Sequence, residues 1–162
     1  MKVFLSYAVG PWDAPIAARL RAVAAAYDIA ILLPIRSEGL TNGLPVDTLA
    51  KIKQSDAVIA LVTATAPRGL INTVNLERRA AAQARKPIIA LIEKGVAVQS
   101  TASGNAVYFD RLNPTAHETS LMNALQQIRS QQQRKKDLTA LGWIAGIALG
   151  LVALSEVLSN EK

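Results

Sequence analysis

The chain contains no cysteine. That removes disulfides, thiolate nucleophiles and thiolate metal sites at once. It has a single histidine, His117. A cluster of imidazole metal ligands is therefore excluded, and no metal site is expected. Only one imidazole is left to build a Ser/His/Asp triad on. Aromatic residues make up 4% of the 162 residues against 51% apolar residues overall. The core must therefore be aliphatic. There is no glycine-rich phosphate loop of the Rossmann or Walker kind, no internal repeat and no long low-complexity tract.

The length suits one domain with a real core plus one appendage. The net charge is +6 and the isoelectric point about 9.9. Such values suggest nucleic acid, but the distribution argues against it. Arg129, Arg134, Lys135 and Lys136 gather just before a long apolar run, and the other basic residues are scattered. No nucleic-acid partner is expected. The run, Leu138 to Leu154, has seventeen residues without a charge. That is at the lower limit for a membrane span, and its basic collar fits the positive-inside rule. The expectation is a single-pass helix over 138–158 in a cell inner membrane, with a basic linker at 129–137. Residues 1–128 would lie in the cytoplasm, and a short tail, 159–162, across the lipid. Gly142, Gly146 and Gly150 repeat at four-residue steps, a groove by which such helices associate. The alternative is a buried core helix.

Residues 1–128 alternate between strand and helix patterns. Lys2–Tyr7 is rich in strand formers. A helix follows to about Ala26, with Asp13 as its N-cap and Pro15 in its first turn. Ile29–Leu33 is a continuous apolar run of the buried parallel-strand kind. Pro34–Leu44 is a loop with an Asn-Gly pair, and a short helix spans about Pro45–Gln54. Ala57–Val62 and Pro87–Ile92 are two further buried runs flanking a helical pattern. Glu93–Ala106 reads as loop, Val107–Phe109 as a weak last strand, and Asn113-Pro114 as the start of a last helix carrying Leu121, Leu125 and Ile128. The alternation predicts an α/β fold, a five-stranded parallel sheet of flavodoxin-like type with helices on both faces. Ligands of such sheets bind beyond the carboxyl ends of the strands.

Glu77 occupies the helix between the third and fourth strands. A carboxylate there can hold a ribose by its hydroxyls. It can also stabilise the oxocarbenium-like charge that develops when an N-glycosidic bond breaks. It can equally be a solvated helix glutamate favoured by the helix dipole. Ser6 and Tyr7, with Ala8 beyond them, lie at the carboxyl end of the first strand. They can hydrogen-bond a substrate or simply cap the strand. Arg36 in the Pro34 loop can meet a phosphate bidentately or stay solvated. His117 is given no role.

VFLSYA at the start, SDAVIALVT, and the spacing of Glu77 and Ala81 before KPIIALIE together resemble a bacterial Toll/interleukin-1 receptor (TIR) domain. Many members of that family cleave NAD with a glutamate on the third helix, and Glu77 is the matching position. The resemblance implies a flavodoxin-like TIR fold and NAD as substrate, with no separate cofactor. It also implies self-association through the TIR domain, helped by the Gly142/Gly146/Gly150 face, and substrate contacts from Ser6, Tyr7, Ala8, Pro34, Arg36 and Thr73. On this basis the chain is expected to be a membrane-anchored effector that cleaves NAD on assembly, as in defence against phage. A non-enzymatic TIR adaptor is the alternative, and membrane disruption by the glycine-rich helix is a third. There is one departure. Many active members have Trp four residues before the glutamate, where this chain has Thr73; Tyr7 or Trp12 would then supply the ring. The nucleoside deoxyribosyltransferases and nucleotide N-glycosidases are related in sheet, helix glutamate and bond type, so the bond cleaved is better indicated than the substrate.

Overall fold

The computed structural model describes residues 1–35, 43–64, 68–96, 105–113 and 118–134. Five strands form one sheet: β1 (Lys2–Ser6), β2 (Ala30–Leu32), β3 (Ala57–Val62), β4 (Ile88–Glu93) and β5 (Asn105–Phe109). The helices are α1 (Ala14–Ala25), α2 (Val46–Gln54) and α3 (Arg68–Gln83), followed by α4 over 118–134. All strand pairs are parallel and their order is β2-β1-β3-β4-β5. The fold is thus α/β with a five-stranded parallel sheet and four helices. The order reverses direction between β1 and β3, the place where such a sheet opens its ligand crevice. The chain divides into two units, Met1–Gln126 and Gln127–Lys162. The first contains the whole sheet.

The strands alternate their side chains between two faces. Phe4, Val58 and Ile88 stand side by side in register. With Leu32 beside them they pack against Ile52 of α2 and Ala80 and Ala81 of α3. The intervening residues Leu5, Ile59, Ile89 and Leu91 are wholly buried as well. Right-handed crossovers place α1 on that second face, opposite α2 and α3. Arg19 of α1 and Glu118 of α4 are joined by an ion pair, and Leu121, Met122 and Leu125 of α4 are buried. Burial on both faces accounts for the near-continuous apolar runs of β3 and β4.

Helices α1 and α3 end alike. Asp28 and Arg85 take positive φ, 54° and 53°. The following amides reach back, Ile29 to the Ala24 carbonyl and Lys86 to the Ala81 carbonyl. This is the Schellman arrangement, which returns the chain to the sheet in two residues.

Four expectations are corrected. Asp13 adopts helical dihedrals (φ −100°, ψ −19°) and makes no side-chain cap, because its carboxylate is engaged elsewhere. β1 stops at Ser6, and β5 begins at Asn105 rather than Val107 because pairing with β4 supplies the order its sequence lacks. The single-pass placement in an inner membrane is corrected as well, to what the described residues show: no helix among them is long and apolar enough to cross a membrane. The apolar run on which it rested, with Gly142, Gly146 and Gly150, lies outside the described residues, as does the linker from 135 onward.

Candidate functional site

Ser6 is two residues beyond Phe4 on β1, so it projects from the face that α2 and α3 cover. Its neighbours in register are Ala60 on β3 and Ala90 on β4. These small side chains leave room above the sheet at that level. On α3, Val74, Glu77 and Ala81 are all buried. Their three- and four-residue spacing marks the inward face of the helix. The two elements meet at a buried polar contact. Ser6 Oγ donates to Glu77 Oε2 at 2.5 Å. Both residues have 0% exposure. The length lies within the range of a hydroxyl-to-carboxylate hydrogen bond.

The solvated helix-face placement of Glu77 is therefore not the one observed. Withdrawing a carboxylate from water costs several kcal/mol unless partners offset it. An aliphatic side chain at position 77 would fill the site without that cost. A buried, held carboxylate beside a strand end at the switch point is a feature of functional sites. Thr73 stands one turn nearer the carboxyl edge and is half-buried. Partly exposed surface thus begins about 6 Å along the helix from Glu77, the rise of four residues.

The other candidates divide. Tyr7 and Ala8 continue directly from Ser6 and are buried at 8% and 3% exposure. The Tyr7 ring is therefore inside, whereas the Trp12 ring in the same loop is 66% exposed. Pro34 is half-buried and lies two residues past Leu32, as Ser6 lies two past its register partner Phe4. The β2 exit is fastened by α2. Lys51 Nζ donates to the Leu33 carbonyl at 2.9 Å. The buried Thr48 hydroxyl donates to the Ile35 carbonyl and accepts from the Ile35 amide. Arg36 and His117 lie outside the described residues. Among the described residues no group of three or more carboxylate or imidazole side chains is placed to hold a metal.

A second polar cluster, absent from the sequence reading, occupies the same edge. Arg111, just past β5, donates from Nε to Glu93 Oε1 at 2.7 Å and from Nη2 to Glu93 Oε2 at 3.1 Å. Its Nη1 reaches the Trp12 carbonyl at 2.8 Å, and Nη2 makes a longer contact of 3.4 Å with Asp13 Oδ1. Thr63 Oγ1 donates to the other Asp13 oxygen at 3.0 Å, and the Ala64 amide donates to Glu93 Oε2 at 3.0 Å. Burial pushes the Asp13 carboxyl above its ordinary value despite the Thr63 and Arg111 hydrogen bonds. The Arg111 hydrogen bond holds Glu93 below its ordinary value. That pairing raises Arg111 further, so it stays charged. No local spacing announces this cluster. Its members come from four separate connections.

In sequence comparison the chain matches no protein-family model and no curated protein. Among solved structures it is similar to the CMP N-glycosidase BcmB of Clostridium botulinum. The identity is 17%, the match covers 75% of this chain and 98% of that one, and the TM-score is 0.52. This likeness carries the fold. It also corrects the TIR resemblance, which nothing in these comparisons supports. The motifs behind that resemblance, VFLSYA and SDAVIALVT, coincide with β1 and β3 and their ends. They report buried parallel strands, a pattern common to doubly wound sheets rather than particular to one family. The chain shares its fold with a nucleotide N-glycosidase.

Proposed function

We propose that this protein cleaves the N-glycosidic bond of a nucleotide, with Glu77 as the carboxylate at the reacting carbon. The observation that carries the reading is the buried Ser6–Glu77 contact at the β1/β3 switch point. The fold shared with a CMP N-glycosidase supports it. In this mechanism the bond from C1′ to the base nitrogen breaks, and its electron pair leaves with the base. Positive charge develops on C1′ and the ring oxygen. A fixed anion lowers the energy of that state, most effectively where water is excluded. Water then adds to C1′, and the proton it loses balances the charge gained by the departing base. The products are the free base and a sugar phosphate. Ser6 keeps the carboxylate oxygen in one orientation. Trp12 offers an exposed ring face on which a base can stack.

The test is chromatographic. The full chain is incubated with CMP and, separately, with NAD, the substrate that the sequence resemblance suggested. Release of free base from either, slowed by about two to three orders of magnitude in Glu77→Gln, is the expected result. No release from any nucleotide, or equal release by the two proteins, would refute the proposal. The relative rates on CMP and NAD identify the substrate.

A further inference from the structure

The two loops that flank the Ser6–Glu77 contact share a fastening that lies beyond the far edge strand. The β1–α1 loop leaves Ser6, passes Tyr7, and ends at Trp12 and Asp13. Arg111 binds the Trp12 carbonyl and the Asp13 carboxylate. The connection from β3 into the Glu77 helix begins at Thr63 and Ala64. Thr63 binds Asp13, and the Ala64 amide binds Glu93, which Arg111 grips with two nitrogens. A planar guanidinium with five donors can serve several acceptors at fixed angles, whereas an ammonium is a point charge on a flexible stem.

We infer that Arg111 is a positioning residue, a clamp that sets the β1–α1 loop and the start of the β3–α3 connection relative to each other and so aligns Ser6 with Glu77. This rests on the N-glycosidase reading for its effect on rate. Misplacement of reacting groups by about 1 Å can cost a factor of a hundred. Arg111 acts here through the two loops it holds, so its loss should appear as misalignment. The Glu77 carboxylate remains present throughout.

The experiment uses the full chain with CMP. Arg111→Met keeps the aliphatic stem and removes every donor; Arg111→Lys keeps the charge without the fork. Arg19→Met breaks an ion pair between α1 and α4 and serves as the stability control. The expected result is a fall of at least tenfold in kcat for Arg111→Met, partial recovery in Arg111→Lys, and ordinary kcat in Arg19→Met. Amide hydrogen exchange supplies a readout independent of activity. Exchange at Ala64 and over Tyr7–Asp13 should speed up in Arg111→Met, with the α2 amides unchanged. Full kcat in Arg111→Met, or unchanged exchange at Ala64, would overturn the clamp. If the wild-type chain cleaves no nucleotide, the glycosidase reading fails by itself, and the exchange comparison alone decides whether Arg111 holds the two loops.

Discussion

Replacing Ser6 by alanine isolates the contact on which the account depends. The substitution removes one oxygen from a site with 0% exposure, and with it the hydrogen bond to Glu77 Oε2. A hydrogen bond to a charged group contributes about 1.5–3 kcal/mol net. If that energy orients the carboxylate where charge develops at C1′, its loss slows the chemical step. At 1.36 kcal/mol per decade this is about 10- to 150-fold in kcat. Part of the loss also appears as stability, at about 3–6 °C in melting temperature per kcal/mol for a unit of this size. Stability alone must therefore not be mistaken for catalysis. Ser55 provides the comparison. Its buried hydroxyl donates to the Ile52 carbonyl at 2.7 Å, at the end of α2. Ser55→Ala should cost about 1 kcal/mol of stability and leave kcat unchanged. The assay is steady-state nucleotide cleavage on both variants, well below their melting temperatures. Equal kcat in Ser6→Ala and Ser55→Ala would refute the claim that the Ser6 hydroxyl serves the reaction.

Three further predictions concern the frame around the site. Glu93 is held below its ordinary value of 4.5, so its contribution to stability is complete above that pH and is lost as the pH falls through the lower folded value. Glu93→Gln should flatten the acid side of the stability curve in denaturant titrations from about pH 3 to about pH 7; an unchanged slope contradicts the pairing. Asp13, raised above 3.8 by burial, works in the opposite sense. Its contribution is present at low pH and withdrawn as the pH rises through the raised folded value. Asp13→Asn should remove that loss. Arg85 holds φ of 53° at the end of α3, a conformation costing roughly 1–2 kcal/mol for a residue with a Cβ. Arg85→Gly should raise stability by about 0.5–1 kcal/mol after the larger chain entropy of glycine is counted. A lower melting temperature would contradict this.

The sheet was legible because β1, β3 and β4 are buried on both faces and write continuous apolar runs. The start of β5 was not. Asn105 and Ala106 have little strand propensity and are ordered by their partners on β4. Glu77 could be placed near the carboxyl edge from the strand–helix–strand pattern alone, but its partner could not. Ser6 is 71 positions away in the chain, and only the register of β1 beside β3 brings it beneath α3. Asp13 shows the reverse failure. Aspartate before a helix is a sound local cap signal, yet here Thr63 and Arg111 outbid the helix amides for its oxygens. The family resemblance failed for a related reason. Its motifs encode the sheet, which several families share, and the residues that would separate those families lie in the connections.

In the proposed reaction Glu77 promotes cleavage of a nucleotide at the bond between sugar and base. The most direct measurement is the release of cytosine from CMP by the full chain, followed chromatographically beside Glu77→Gln. The variant retains the volume of the side chain and removes its charge. The account expects free cytosine and ribose 5-phosphate in equal amounts from the wild type. For Glu77→Gln it expects a rate lower by about two to three orders of magnitude, the scale of losing one stabilising group at a developing charge. A Glu77→Gln protein as fast as the wild type would contradict it.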